Sequence, residues 1–274
     1  MKITHDFHIH TNLSRCAMKY PSDFAGYMDM VKRIGLTKVG ISNHFWDAPI
    51  EKDYSAYTPR NDYTRFYTIQ NYEYVAQILP ELQAYDGDIR VYFGCETEYD
   101  PFHRGVAITE ETAEKFDYVL VPNSHTHMMM PIEYYEPHEK HAEYMVNAYL
   151  DIIRSNVSRY ITAMAHPFEA VCCPYSNSIL IDMIADDTYR RLFDETAEKG
   201  IAFEINVSSM SKKTPQEIAD SSQIRVFRLA KECGCKFLFG SDAHSHAALE
   251  TYGNATLVAE LLELGEDDIA DIAK

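Results

Sequence analysis

The chain has 274 residues, 46% of them hydrophobic and 24% charged, which is the balance of an ordinary soluble globular protein. Acidic residues outnumber basic ones by 42 to 25, and the formal net charge of −17 repels a phosphate backbone, so nucleic acid is not an expected partner. No apolar run approaches the roughly 18 residues of a membrane-spanning helix. Residues 1–6 lack the start of a secretory signal, so the six cysteines are expected as reduced thiols in a cytosolic protein.

Seven short β-rich segments are predicted in chain order, with helical segments between them. The predicted strands are residues 3–9, 38–42, 89–94, 118–122, 161–165, 201–205 and 236–239. The predicted helices are residues 22–34 with Ser22 as the N-cap, then 64–84, 140–156, 179–199, 215–233 and 245–264. Residues 47–64 are a predicted polar loop, and residues 265–274 a short terminal helix or tail.

This alternation of strands and helices predicts a parallel sheet with helices outside it. Seven repeats over nearly the whole chain favour a closed or nearly closed α/β barrel over an open doubly wound sheet. No GxGxxG or P-loop pattern follows any predicted strand, which also disfavours the open sheet. No internal repeat or linker divides the sequence, so residues 1–274 are predicted to form a single domain.

Residue types that bind metals lie at the ends of six of the predicted strands. They are His8 and His10 at the first strand, His44 after the second, Glu96 after the third, His125 and His127 after the fourth, His166 after the fifth, and Asp242 and His244 after the seventh. The C-terminal ends of barrel strands converge on one face, where active sites are built. Imidazole and carboxylate ligands together suit Zn, Mn or Fe, so the pattern predicts a metal site there.

The motifs at these positions resemble those of the PHP superfamily, the polymerase-and-histidinol-phosphatase group of metal-dependent phosphoesterases. They are HIHTNLSRC (8–16), GISNH (40–44), GCE (94–96), PNSH (122–125), AHP (165–167) and GSDAH (240–244). The resemblance covers nearly the whole chain in the same order, and GSDAH and AHP are its more specific parts. It implies a distorted (β/α)7 barrel, a TIM-like fold, that holds two or three divalent metal ions at the strand ends.

The resemblance also implies three sets of metal ligands. The first metal would be held by His8, His10, Glu96 and Asp242. Glu96 would bridge to a second metal, completed by His125 and His166. The third would use His44, His244 and Cys16, where family members commonly have His or Glu. A thiolate suits Zn or Fe better than Mn or Mg, but Cys16 is equally suited to be a buried apolar residue beside a weak or empty site.

Three further residues are candidates for catalysis. Glu204 in FEIN (203–206) would touch substrate, orient a ligand or cap the next helix. Arg15 is suited to a bidentate contact with phosphate, or is a solvated loop residue. His127 is placed to protonate a leaving oxygen. The loops at 47–64 and 128–141 are expected to set specificity, and Cys172 and Cys173 are assigned no role.

The resemblance implies a metal-dependent phosphatase that hydrolyses a small phosphate monoester with a metal-activated water, and histidinol phosphate is the substrate it suggests. An amidohydrolase is the alternative enzyme class, but it predicts a metal-bridging lysine where this chain has Glu96. A non-catalytic domain that binds metal or a phosphorylated ligand is the third hypothesis, which the unusual Cys16 leaves open. Exonuclease activity would need a basic channel, which the net charge disfavours.

Overall fold

The computed structural model of the protein describes residues 1–47, 69–170 and 175–274. Its central strands are β1 (His5–Ile9), β2 (Lys38–Phe45), β3 (Arg90–Thr97), β6 (Tyr118–Pro122), β7 (Ala163–Ala165), β8 (Ala202–Asn206) and β9 (Phe237–Gly240). A separate antiparallel pair lies between β3 and β6 in the chain, and its strands are β4 (Tyr99–Asp100) and β5 (Gly105–Val106). The seven central strands pair in parallel in the order β1-β2-β3-β6-β7-β8-β9.

The sheet curls until its two edge strands meet. Ile9 at the end of β1 forms a parallel bridge with Ala243, just past β9. The backbone N–H of His10 donates to the carbonyl of Ala243 at 2.9 Å, and the N–H of Ala243 donates to the carbonyl of His8 at 3.3 Å. The result is a nearly closed parallel α/β barrel of the TIM-like type, which confirms the fold class that the sequence predicts.

Helices connect and flank the strands. The α-helices are Phe24–Ile34, Tyr72–Val75, Leu79–Ala84, Glu110–Ala113, Thr126–Met129, His138–Ile153, Asn177–Met183, Asp186–Glu198, Pro215–Ala219, Ser222–Glu232 and Asn254–Leu261. The 3-10 helices are Ala76–Ile78, Ile132–Tyr134, Ser158–Tyr160, Ser208–Met210, His246–Gly253, Glu266–Asp268 and Asp271–Ala273. Among the described residues, no helix combines the length and the apolar character needed to cross a lipid bilayer.

All seven predicted strands are present, but several helices differ from the prediction. The segments at 179–199 and 215–233 are each two helices, because the backbone is extended at Ile184, Ala185 and Ser221. The segment at 245–264 begins as 3-10 helix and becomes α-helical only at Asn254. Residues 64–68 of the second predicted helix, and most of the predicted loop at 47–64, lie outside the described residues.

The predicted N-cap of the first helix is wrong by one residue. The side chain of Asp23, not Ser22, accepts the N–H of Gly26 at 3.0 Å. Ser22 uses its hydroxyl instead to donate to the carbonyl of Ala17 in the preceding loop. Both residue types cap helices well, so only the path of the loop decides between them.

Glycines make room for large side chains inside the barrel. A Cβ added to Gly40 on β2 or to Gly94 on β3 would collide with the buried ring of Tyr118 from β6. A Cβ added to Gly240 on β9 would collide with the carboxylate of Glu204 on β8. The barrel interior is therefore filled by side chains, with charged residues above the aromatic ring toward the C-terminal strand ends.

Candidate metal centre

Glu96 lies at the centre of a cluster of imidazoles at the C-terminal end of the barrel. It is fully buried near the end of β3. Its Oε2 lies 2.9 Å from His44 Nδ1 and 3.4 Å from the Nε2 atoms of His8 and His10. Its Oε1 lies 3.0 Å from His166 Nε2 and 3.6 Å from His125 Nε2. The structure thus brings together side chains from β1, β2, β3 and the segments after β6 and β7.

Asp242 and His244 close this cluster from the segment after β9. Oδ1 of Asp242 lies 3.1 Å from His10 Nε2 and 3.6 Å from His8 Nε2. The ring of His244 stacks on that of His10, with 4.4 Å between centroids. Asp242 has φ 52° and His166 has φ 27°, so both side chains are aimed by left-handed backbone, which is uncommon outside glycine.

Among the described residues, four sets of three donor atoms lie close enough to hold an ion, with all atoms of a set within 4.8 Å of one another. They are His8 with His10 and Asp242; His8 with Glu96 and His166; His44 with Glu96 and His125; and His10 with His44 and His244. The first set falls within the predicted first ligand set. The next two divide the predicted second set between them, because Glu96 faces both His125 and His166.

The hydrogen bonding of this cluster fits cations. His8 Nε2, His10 Nε2 and Glu96 Oε2 are buried and have no hydrogen-bond partner. A buried polar atom without a partner costs about 1–3 kcal/mol, and metal coordination would remove that cost. Nitrogen and carboxylate donors aimed at a common space are the arrangement that Zn, Mn or Fe binds. The residues present therefore fit the metals that the sequence predicts.

Electrostatics hold the central carboxylates ionised. Burial raises the pKa of Glu96, but the imidazoles of His8, His125 and His44 outweigh it and bring the pKa well below its usual value. Burial also raises the pKa of Asp242, and His244 and His8 likewise bring it well below normal. Anionic oxygens are the form that binds a divalent cation.

Cys16 lies beside His44 and His244, as the predicted third ligand set requires. Its thiol is hydrogen-bonded to both imidazoles. Burial raises the pKa of this thiol, but the charges and hydrogen bonds of the two histidines outweigh it and lower the pKa to about 6. A thiolate is the form of cysteine that binds metal, but none of the donor sets found among the described residues includes Cys16, so its role as a ligand stays a prediction.

Glu204 stands behind the imidazoles instead of facing the centre of the cluster. Its Oε1 lies 2.7 Å from His8 Nδ1, and its Oε2 accepts the backbone N–H of His166 at 2.5 Å. A carboxylate at this distance accepts a hydrogen bond, so Nδ1 of His8 carries a proton and Nε2 is turned toward Glu96. Of the predicted alternatives for Glu204, the geometry matches the orientation of a ligand.

Serine hydroxyls orient two further imidazoles in the same way. Ser14 Oγ lies 3.0 Å from His10 Nδ1, and Ser124 Oγ lies 2.7 Å from His166 Nδ1. Burial lowers the pKa of His166, but its hydrogen bond to Glu96 and the charge of Glu96 raise it to about 9. In each case Nδ1 has a partner on the outside and Nε2 points inward, which is the arrangement of metal-binding histidines in proteins.

Glu98 is a site residue that the sequence analysis missed. It is 1% exposed, and its Oε1 and Oε2 lie 2.9 Å and 3.0 Å from His125 Nδ1. Alternation along an extended segment places residues 96 and 98 on the same side, so the ExE spacing was a signal for it. The spacing did not show that its partner would be an imidazole from the segment after β6.

Of the remaining predicted catalytic residues, His127 lies beside the cluster and Arg15 lies in the loop next to Cys16. Arg15 is half-buried in the loop before Cys16, and its backbone N–H donates to Gln70 Oε1 at 3.2 Å. His127 lies on the short helix after β6, and its ring is edge-on to His125 with 5.3 Å between centroids. His125 and His127 therefore do not alternate along a strand, because the chain turns into a helix at Thr126.

Much of the predicted specificity loop at 128–141 is helical, in the segments Thr126–Met129, Ile132–Tyr134 and His138–Ile153. Met130 is buried there and packs with Tyr144 and the partly buried Tyr134 and Tyr135, which is core packing. Cys172 and Cys173 lie outside the described residues.

Comparison with known proteins supports the fold through solved structures. No protein-family model matches the chain, and no curated protein matches it. It is similar to the histidinol phosphate phosphatase of Lactococcus lactis subsp. lactis Il1403, crystallised with zinc, L-histidinol and phosphate, with a TM-score of 0.57 and 16% identity over 94% of this chain and 93% of that one. An amidohydrolase structure matches with a TM-score of 0.49 and 14% identity over 100% of this chain and 73% of the other, a similarity that identifies no family or activity. The chain has the fold of the phosphatase, which confirms the barrel that the PHP motifs predict.

Proposed function

We propose that this chain is a metal-dependent phosphatase acting on a small phosphate monoester. The observation that carries the proposal is the buried Glu96 carboxylate, with imidazole nitrogens on both of its oxygens and no hydrogen-bond partner for Oε2. A carboxylate that faces donors on two sides is suited to link two cations, as in two-metal hydrolytic sites. The shared fold with a phosphatase that binds zinc and phosphate supports the same chemistry here.

The proposed ligands are the three sets that the sequence predicts. The first is His8, His10, Glu96 and Asp242; the second is Glu96, His125 and His166; the third is Cys16, His44 and His244. Two or three divalent ions, Zn or Fe in the Cys16 site and Zn, Mn or Fe elsewhere, would when bound offset phosphoryl charge and lower the pKa of water.

The chain's own residues supply orientation and proton transfer. Glu204, Ser14 and Ser124 hold three imidazoles with Nε2 inward, so the ligands are in place before substrate arrives. We assign proton delivery to the leaving oxygen to His127, which adjoins His125 at the edge of the cluster. We propose that Arg15 binds the outer phosphoryl oxygens, because a guanidinium forms charge-assisted hydrogen bonds to phosphate.

We propose residues 1–274 as one catalytic domain, since donors come from both ends of the chain, from His8 to His244. The proposed partner is a small phosphorylated metabolite, and histidinol phosphate is the specific candidate, supported by the L-histidinol and phosphate bound in the similar phosphatase. An amidohydrolase remains the weaker hypothesis, since Glu96 occupies the position where a lysine would bridge the metals.

The test is a hydrolysis screen of metal-loaded protein against histidinol phosphate, other small phosphate monoesters and a panel of amides. We expect phosphate release from one or more monoesters and no amide cleavage. Glu260→Gln, which changes an exposed glutamate, is the matched control and should behave like the parent chain. Amide hydrolysis without phosphate release would overturn the proposal in favour of the amidohydrolase class.

A further inference from the structure

Glu98 lies between two imidazoles that belong to different proposed metal positions. Its carboxylate contacts His125 Nδ1 at 2.9 Å and 3.0 Å. The same Oε1 lies 3.8 Å from His44 Nδ1. His125 is a proposed ligand of the second metal and His44 of the third.

The two histidines present their rings to Glu98 in different ways. His125 directs Nε2 toward Glu96 and Nδ1 toward Glu98. His44 is hydrogen-bonded to Cys16 and also faces the two glutamates with Nδ1, at 2.9 Å from Glu96 and 3.8 Å from Glu98. At 3.8 Å the contact between His44 and Glu98 is longer than a hydrogen bond. If Glu96 binds metal, its oxygens are committed to cations, and Glu98 is the neighbouring carboxylate to which a small turn of the ring would let His44 Nδ1–H donate a hydrogen bond.

We propose that Glu98 is a positioning residue that couples the second metal position to the third. A carboxylate that accepts Nδ1–H fixes the tautomer and the orientation of a ligating imidazole and makes it a stronger ligand. Glu98 is shared by one ligand of each metal position. An ion that orders one imidazole therefore also fixes the carboxylate that would accept a hydrogen bond from the other imidazole. The proposal rests on the metal binding of the proposed function, and it does not depend on the substrate.

Glu204 provides a matched comparison within the same site. It is also 1% exposed and also orients imidazoles, but it contacts His8 and the backbone of His166. These are proposed ligands of the first and second metals. Removal of its charge should therefore leave the third position unaffected, whereas removal of the Glu98 charge should affect the second and third together.

The experiment measures metal affinity, by titrating metal-free protein with Zn²⁺ against a chelating indicator. Glu98→Gln and Glu204→Gln are each made in the parent chain and in a His44→Ala chain, which lacks a ligand of the third position. Glu98→Gln should lower the affinity for two of the bound ions by about 10- to 100-fold in the parent chain, and for only one ion in the His44→Ala chain. Glu204→Gln should have the same effect in both backgrounds.

Two results would overturn the coupling. One is that Glu98→Gln leaves every affinity within about twofold of the parent. The other is that Glu98→Gln lowers the affinity for a single ion in both backgrounds, which would make Glu98 a partner of His125 alone. Should Glu98→Gln not fold, Glu98→Asp keeps the charge but withdraws the oxygens, and it should show the same pattern with smaller losses. A parent chain that binds zinc without hydrolysing phosphate esters would contradict the proposed function but not this inference, and one that binds no zinc would contradict both.

Discussion

The cluster around Glu96 and the aromatic cluster around Phe193 are both deeply buried, but they differ in the hydrogen bonding of their polar atoms. Around Phe193, the hydroxyl of Tyr149 is hydrogen-bonded to Thr196 at 2.9 Å, and that of Tyr189 donates to the carbonyl of Ile181 at 3.1 Å. Around Glu96, buried nitrogens and a carboxylate oxygen have no such partner. The polar atoms of the first region are satisfied within the protein, whereas those of the second are arranged so that they could bind a ligand.

This difference separates residues that stabilise the fold from residues that serve function. Buried polar atoms in a finished core are hydrogen-bonded, so a group of unpartnered ones at the C-terminal end of a barrel indicates a binding site. A change at Phe193 should therefore affect stability but not metal binding. A change at Glu96 should affect metal binding and catalysis first.

The largest expected effect follows from Glu96→Gln, which removes the charge that faces both proposed central ions. Hydrolysis should fall by about 10³-fold, more than for any single histidine substitution, because Glu96 is the one proposed ligand that is assigned to two metal positions. Metal content per chain and kcat measure the effect. A smaller loss than that of His10→Ala would show that Glu96 does not bridge.

In the aromatic cluster, Phe193→Ala should lower the free energy of unfolding by about 3–5 kcal/mol, because it leaves a cavity among packed rings. Phe193 is fully buried and contacts Phe203 at 5.1 Å and Tyr189 at 5.5 Å between centroids. Denaturant unfolding measures the loss, with the exposed Phe102→Ala as the control. Loss of bound metal from folded Phe193→Ala protein would contradict the separation of stability from metal binding between the two regions.

His127→Asn should keep the metals and lower kcat by about 10²-fold if His127 protonates the leaving oxygen. The loss should shrink for nitrophenyl phosphate, whose leaving group needs no proton. Arg15→Ala is the contrasting variant and should raise KM for every ester, because it removes a contact to the phosphoryl group itself. Equal losses of kcat for good and poor leaving groups would remove His127 from the acid role.

The smallest expected effect concerns Cys16 and sharpens the boundary of the metal region. Cys16→Ala should lower the metal content by about one ion per chain, while Cys16→His should retain it. In the parent chain, alkylation of the thiol should be slow until the metal is stripped, since coordination masks the thiolate. Metal content that stays the same in the Ala variant would make Cys16 a packing residue.

The sequence predicts the barrel and most of this cluster because both depend on short-range patterns. Strand ends converge in a barrel, so His8, Glu96 and His166 could be expected together although they are far apart in the chain. Glu98 could not be assigned, because its role depends on two imidazoles that only the folded chain brings to it. The break at Ile184 and the cap at Asp23 were missed for a similar reason, since tertiary packing decides between local alternatives of nearly equal free energy.

The most direct test of the central claim is metal analysis of the purified chain, combined with hydrolysis assays before chelation, after it and after metal is restored. We expect about two to three transition-metal ions per chain, loss of phosphatase activity when they are removed and recovery when Zn, Mn or Fe is returned. The melting temperature should fall on chelation, since the cluster around Glu96 then loses its partners. Full phosphatase activity in rigorously metal-free protein would contradict the account.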